Sequence, residues 1–143
     1  MLLDEIASRL ITQNIASSSG SGSPAYYLYR GTVPDSSLLA DRIVAVLEAG
    51  GLSQLPNLKI DRPTFQVLVR GARINSVSTA YEEARHKAET IKLDLHFLVG
   101  TTLSGVLYHG IIAEQEVFYL GEDMNQRPVF SCNYAVHKRS TAP

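Results

Sequence analysis

Tyr81, Ala84, Ala88, Ile91, Leu95 and Leu98 recur at spacings of three, four, three, four and three. This lays a continuous apolar stripe along one side of a helix from about Thr79 to Leu98. The small Ala84 and Ala88 let such a helix lie close to a broad surface, so the rest of the chain is expected to supply a sheet for it to cover. Thr79 and Glu82 fit a capping box at its start, and Gly100 fits a left-handed cap at its end. Glu82, Glu83, Arg85, Lys87 and Glu89 are expected on its solvent side, with Glu83 and Lys87 in the favourable i,i+4 order.

The sheet is legible on both sides of that helix. "YYLYRGTV", residues 26 to 33, is rich in residues that suit a pleated surface, and Pro34, Asp35 and Ser36 predict a turn after it. The apolar run Ile43 to Leu47 fits a buried strand or a short buried helix; its two valines and the bounding Gly50 and Gly51 favour the strand. In "RPTFQVLVRG" the residues Phe65, Val67 and Val69 alternate with Gln66, Leu68 and Arg70, which predicts a third strand ending at Gly71. Beyond the long helix, residues 106 to 120 and 127 to 137 are expected as two strands, Phe130, Cys132, Tyr134 and Val136 sharing an apolar face. At the amino end Leu3, Ile6, Leu10 and Ile11 mark an amphipathic helix reaching about Ile15, and "ASSSGSGSP", residues 16 to 24, is expected as a flexible Ser/Gly loop. The expected fold is therefore α+β: a mostly antiparallel sheet of about five strands packed by two helices, in the order α-β-β-β-α-β-β. With 143 residues and no internal repeat, one domain spanning 1–143 is expected.

Composition narrows the function by exclusion. A formal charge of −1 gives no broad basic field for holding nucleic acid, and 19% charged with 45% hydrophobic residues is an ordinary globular balance. The lone Cys132 forms no disulfide within the chain, which points to a reducing compartment. Asp4 and Glu5 stand where a secretory signal would carry positive charge, and no apolar run approaches the ~20 residues that span a bilayer, so neither secretion nor membrane insertion is expected.

The richest polar cluster is "YLGEDMNQRPVF", residues 119 to 130. Asp123 and Asn125 stand two apart as in a calcium-binding EF-hand, but the position that requires Gly is Pro128 and the position of the bidentate acid is Tyr134. Gly121, Asp123 and Asn125 suit a hairpin tip instead, since they tolerate unusual backbone angles and bond locally. His86 and His96 lie ten apart on the long helix, about 80° around its axis, and share no metal. Cys132 reads as core, because burial disfavours its thiolate. Glu114 and Glu116, two apart on an expected strand, would share a face as the paired acids of a glycosidase share a cleft, and a solvated edge accounts for them equally. "SGSGSP" lacks the preceding strand and the Lys of a phosphate loop. No catalytic residue, cofactor or metal is expected.

The order of the motifs carries more than any one of them. The opening "MLLDEIA" helix, the Arg-Pro pair leading "RPTFQVLVRG", the "YEEARHKAETIKLDL" helix and the closing "LGEDMNQRPVFSCNYAVHK" hairpin resemble the minor capsid proteins of tailed bacteriophages, relatives of the tail terminators of the phage lambda type. Gly121, Asp123, Asn125 and Arg127 stand where that family's closing hairpin carries its polar residues. The resemblance implies a structural virion protein of the tail and neck, assembled in the host cytoplasm. It implies a hexameric ring that caps the head-proximal end of the tail tube and joins it to the head connector or stopper protein, with the tube protein as the other neighbour. It implies Asp123, Asn125 and Arg127 as candidate subunit or partner contacts. It also implies a lumen that DNA crosses without specific binding, with Glu114 and Glu116 as candidate lumen-facing acids. At ~800 Å² each, two heterologous contacts would cover over a fifth of a subunit's surface.

Two other readings stay open at this point. Within the phage class, a stopper or tube subunit fits the same features. In another class, a small α+β ligand-binding domain or enzyme would place His109, Glu114 or Tyr119 in a cleft under the long helix.

Overall fold

The computed structural model describes residues 2–20, 25–32, 41–55 and 57–140. Two helices, α1 (Leu2–Thr12) and α2 (Ala80–Leu95), accompany seven strands: β1 (Tyr27–Arg30), β2 (Ile43–Leu55), β3 (Ile60–Arg70), β4 (Leu98–Leu103), β5 (Val106–Ala113), β6 (Phe118–Glu122) and β7 (Pro128–Arg139). They form one sheet in the order β1-β2-β3-β7-β5-β4, with β6 paired to β7 beside the start of that strand. The α+β class holds, but the sheet has seven strands rather than about five and is mixed, because β1 runs parallel to β2. The expected turn at Pro34–Ser36 and part of the Ser/Gly loop lie outside the described residues.

Strand alternation sorts the core. Val44 and Val46, Phe65, Val67 and Val69, and Phe130, Cys132 and Tyr134 stand opposite one another across β2, β3 and β7, all buried on one face. Both helices bury their stripes there: Leu3, Ile6, Ala7 and Leu10 from α1, and Ala84, Ala88, Ile91 and Leu95 from α2. Arg9 and Asp94 tie the two helices together at 2.9 Å. The carboxylate of Glu5 is buried with them, accepting hydrogen bonds from Tyr108 Oη and from Lys138 Nζ at 3.0 Å. Burial opposes ionisation of Glu5, yet these two donors hold it below the usual carboxylate value.

Several boundaries differ from expectation. α2 stops at Leu95, with His96 extended and Phe97 in the left-handed region at φ 62°, so Leu98 begins β4 and Gly100 is not the cap. Phe97 N–H donates to Ile111 O at 2.8 Å, and pairing to β5 outcompetes another helical turn. The Thr79 side chain makes no capping bond to the helix backbone. Glu83 and Lys87 do not pair with each other: Glu83 accepts from Arg42 at 3.1 Å, Lys87 donates to Ile15 O at 2.8 Å, and the i,i+4 pair on α2 is Arg85 with Glu89. In β2 the glycine pair forms a bulge rather than an end, as the register slips between Glu48 and Gly51. The expected strand over 106–120 is broken at residues 114–117, where the chain leaves β5 and enters β6.

Candidate assembly surface

The hairpin of β6 and β7 pairs Glu122 with Pro128 and turns through residues 123–127. Its geometry is set by one carboxylate. Asp123 Oδ1 accepts from the backbone N–H of Asn125 at 2.9 Å and of Arg127 at 3.0 Å, while Oδ2 accepts from Arg127 Nε at 2.8 Å. Desolvation opposes the charge of Asp123, but these donors outweigh it and hold its carboxyl below the usual range. The backbone around it needs positive φ at Gly121 (100°) and at Gln126 (58°), not at Asp123 or Asn125. Arg127 is fully buried, its guanidinium reaching Asp41 at 3.2 Å as well as Asp123. Gln126 O accepts from Ile74 N–H at 2.9 Å, fastening the tip to the segment that leads into α2.

Of the three expected contact residues, Arg127 thus faces inward and shapes the loop, Asp123 and Asn125 are half-buried in the turn, and Met124 stands out between them at 96% exposure. Sequence reading passed over Met124; its signal is that it is the one apolar side chain in the polar run Glu122–Arg127. A related signal marks Leu93, apolar but off the buried stripe of α2. It is 85% exposed, and with Phe97 at 68% it flanks a hollow of about 510 Å³ bordered by Glu89, Lys92, His96 and Glu116. His96 Nδ1 accepts from Ala113 N–H at 2.9 Å, which leaves Nε2 as the donor of the ring. Between tip and hollow runs β6, whose Phe118 and Leu120 are also more than half exposed.

Glu114 and Glu116 are both exposed, but they sit on the bend between β5 and β6, so strand alternation does not place them on one face. Glu114 N–H donates to Asn133 O at 2.8 Å, and Glu116 accepts from Lys92 Nζ at 2.7 Å, a hydrogen bond that lowers the pKa of Glu116. Cys132 is buried, and burial pushes its thiol up. Tyr119 packs edge-on against Tyr81 at 5.1 Å rather than opening on a cleft. Glu114 borders a hollow with Thr64, Asn133 and Ala135 that neither His109 nor Tyr119 lines. Among the described residues no group of three metal-ligating side chains converges, and no helix is long and apolar enough to cross a membrane.

The sequence profile of one family, described as bacteriophage tail terminator protein, matches residues 9–139. No match is found among curated proteins. The matched span runs from within α1 to the end of β7 and takes in both the hairpin tip and the hollow at the end of α2.

Proposed function

The chain belongs to the bacteriophage tail terminator family, and from that premise we propose that its copies close into a hexameric ring on the head-proximal end of the tail tube. There the ring stops tube growth and presents a surface to the head connector or stopper protein. The observation that carries the reading is the family match over residues 9–139. The distribution of exposed apolar side chains supports it: Met124, Leu120, Phe118, Leu93 and Phe97 lie at the hairpin tip, along β6 and at the end of α2, where a ring subunit needs surface for its neighbours. No active site is required for this role.

Ring closure is heterologous, so each copy needs two different patches, one for each neighbour. The near-neutral charge of the chain suits a passage that DNA crosses without being held, and Glu114 and Glu116 are assigned to its wall. Assembly takes place in the host cytoplasm, and the product is part of the virion tail. Negative-stain microscopy of the purified protein added to tail tubes tests the reading. Capped tubes of fixed length with a ring at one end are the expected result. Tubes that keep growing in its presence, with no ring bound, would overturn it.

A further inference from the structure

The hairpin tip and the hollow beside Phe97 lie at opposite ends of α2. The tip is fastened near the start of the helix, where Gly71 packs between Ala80, Ala84 and Pro128, whereas the hollow is bordered by its last turn. Sixteen residues of helix separate the two ends, about 24 Å. One chain cannot bring its own Met124 to its own Leu93.

We propose that Met124 of one copy seats in the hollow between Leu93 and Phe97 of the next copy, and that repetition of this contact closes the ring. The inference rests on the ring reading above and names the contact that would build it. A knob at one end and a hole at the other make a head-to-tail contact, which is the geometry that generates rings. The knob is pre-ordered: Asp123 gathers two backbone N–H groups and the Arg127 guanidinium, so little loop entropy is lost on docking. Methionine adapts its shape to an irregular apolar hollow and is enriched in interface cores.

The polar groups of the rim leave room for the acid of the tip. The tip carries the exposed Glu122, and the rim of the hollow offers the His96 Nε2–H donor beside the Lys92 ammonium that Glu116 engages. The acids of the rim are already engaged, Glu89 by Arg85 at 3.1 Å and Glu116 by Lys92 at 2.7 Å, so the incoming carboxylate meets no bare like charge there. Phe97 holds the left-handed backbone that bulky side chains rarely adopt, and its ring stays exposed beside the His96 imidazole at 4.1 Å.

Cysteine pairing tests the contact directly. Met124→Cys and Leu93→Cys are made separately and together, assembled with tail tubes and mildly oxidised; the native Cys132 is buried and does not compete. A disulfide needs Cα atoms within ~7 Å, so any bridge between these sites joins two copies. The mixture of single variants is expected to give covalent dimers, the double variant a ladder ending in a closed ring, and each single variant alone nothing. Met124→Asp is expected to abolish ring assembly without moving the monomer's melting temperature, and Met124→Leu to restore it. Rings that form without cross-linking, self-linking of Met124→Cys alone, or normal assembly by Met124→Asp would each overturn this contact and leave the ring reading standing. Absence of any ring from wild-type protein on tubes would overturn both.

Discussion

Arg127 is the residue at which local and distant information meet. Its place in a turn is legible from the sequence, because Asp123 and Asn125 bond their own backbone. Its burial is not, since the second carboxylate that compensates the guanidinium comes from Asp41, 86 positions away. The consequence for stability is large. Asp123→Ala removes three hydrogen bonds, one of them from a fully buried guanidinium, so a loss of about 3 kcal/mol is expected. Urea unfolding measures it, and a loss below ~1 kcal/mol would mean that the turn holds itself. Glu5 makes the matching case for pH. Its folded pKa lies below the ordinary 4.5, because Tyr108 and Lys138 outweigh desolvation. A depressed carboxylate stabilises the fold above its unfolded pKa and loses that contribution as pH falls through the folded one. Thermal midpoints should therefore drop as pH falls below about 4.5. Glu5→Gln should be less stable at neutral pH, with Lys138 unpaired by it, and should show a flatter acid limb; an unchanged limb would assign acid sensitivity to other carboxylates.

At the scale of elements, what the sequence reveals and what it hides follow from one cause. The apolar stripe of α2 and the alternation in β3 and β7 are local periodicities, and the structure follows them closely. The ends of elements are decided by competition between neighbours in space. Leu98 continues the helical spacing, yet the chain departs at Phe97 because β5 offers Ile111 O, and nothing about a phenylalanine announces a left-handed turn. β4 has no local signal for the same reason. Glu114, Gln115 and Glu116 include no glycine or proline, so nothing local marks the bend between β5 and β6, which takes from the two acids the shared face that alternation predicts. The Gly50–Gly51 pair predicts a terminus because glycine weakens strands, while its use here is a bulge that lets β2 continue to Leu55. That use is specific at Gly51, where φ is 153° and an added Cβ would stand 2.6 Å from Arg62 O and 2.7 Å from Pro63 Cα. Both are backbone atoms, so the clash is not relieved by a side-chain rotation. Gly51→Ala should cost about 1–3 kcal/mol, read by denaturant titration with an unchanged m-value. Gly50, with open space around its Cβ position, is the control for the φ effect alone at 84°.

At the scale of the whole molecule, the ring proposed above would ask the accessible surface of 7593 Å² to serve two neighbours, the tube, the head side and a passage for DNA. Two heterologous contacts of ~800 Å² occupy about a fifth of it, and the apolar tip, β6 and the hollow already supply candidates for them. For the proposed passage, charge is what matters. Duplex DNA presents a dense row of phosphates, and a wall that gathers cations binds it by releasing counterions, with an affinity that falls steeply with salt. The wild-type chain, at −1 overall, has no net excess of cations to offer. Replacing both Glu114 and Glu116 with Lys changes the charge by two at each position, from −1 to +3 per subunit. Both side chains are exposed, so the fold should tolerate the change, at the cost of the Lys92–Glu116 pair. If the acids line the passage, rings of this variant should retain duplex DNA near 50 mM salt and release it near 200 mM, as expected for several phosphate contacts made together. Phage carrying the variant should eject DNA more slowly, with the delay shrinking as salt rises. Assembled particles that eject at the wild-type rate in low salt would place both side chains away from the passage and withdraw their assignment, while leaving the ring itself untouched.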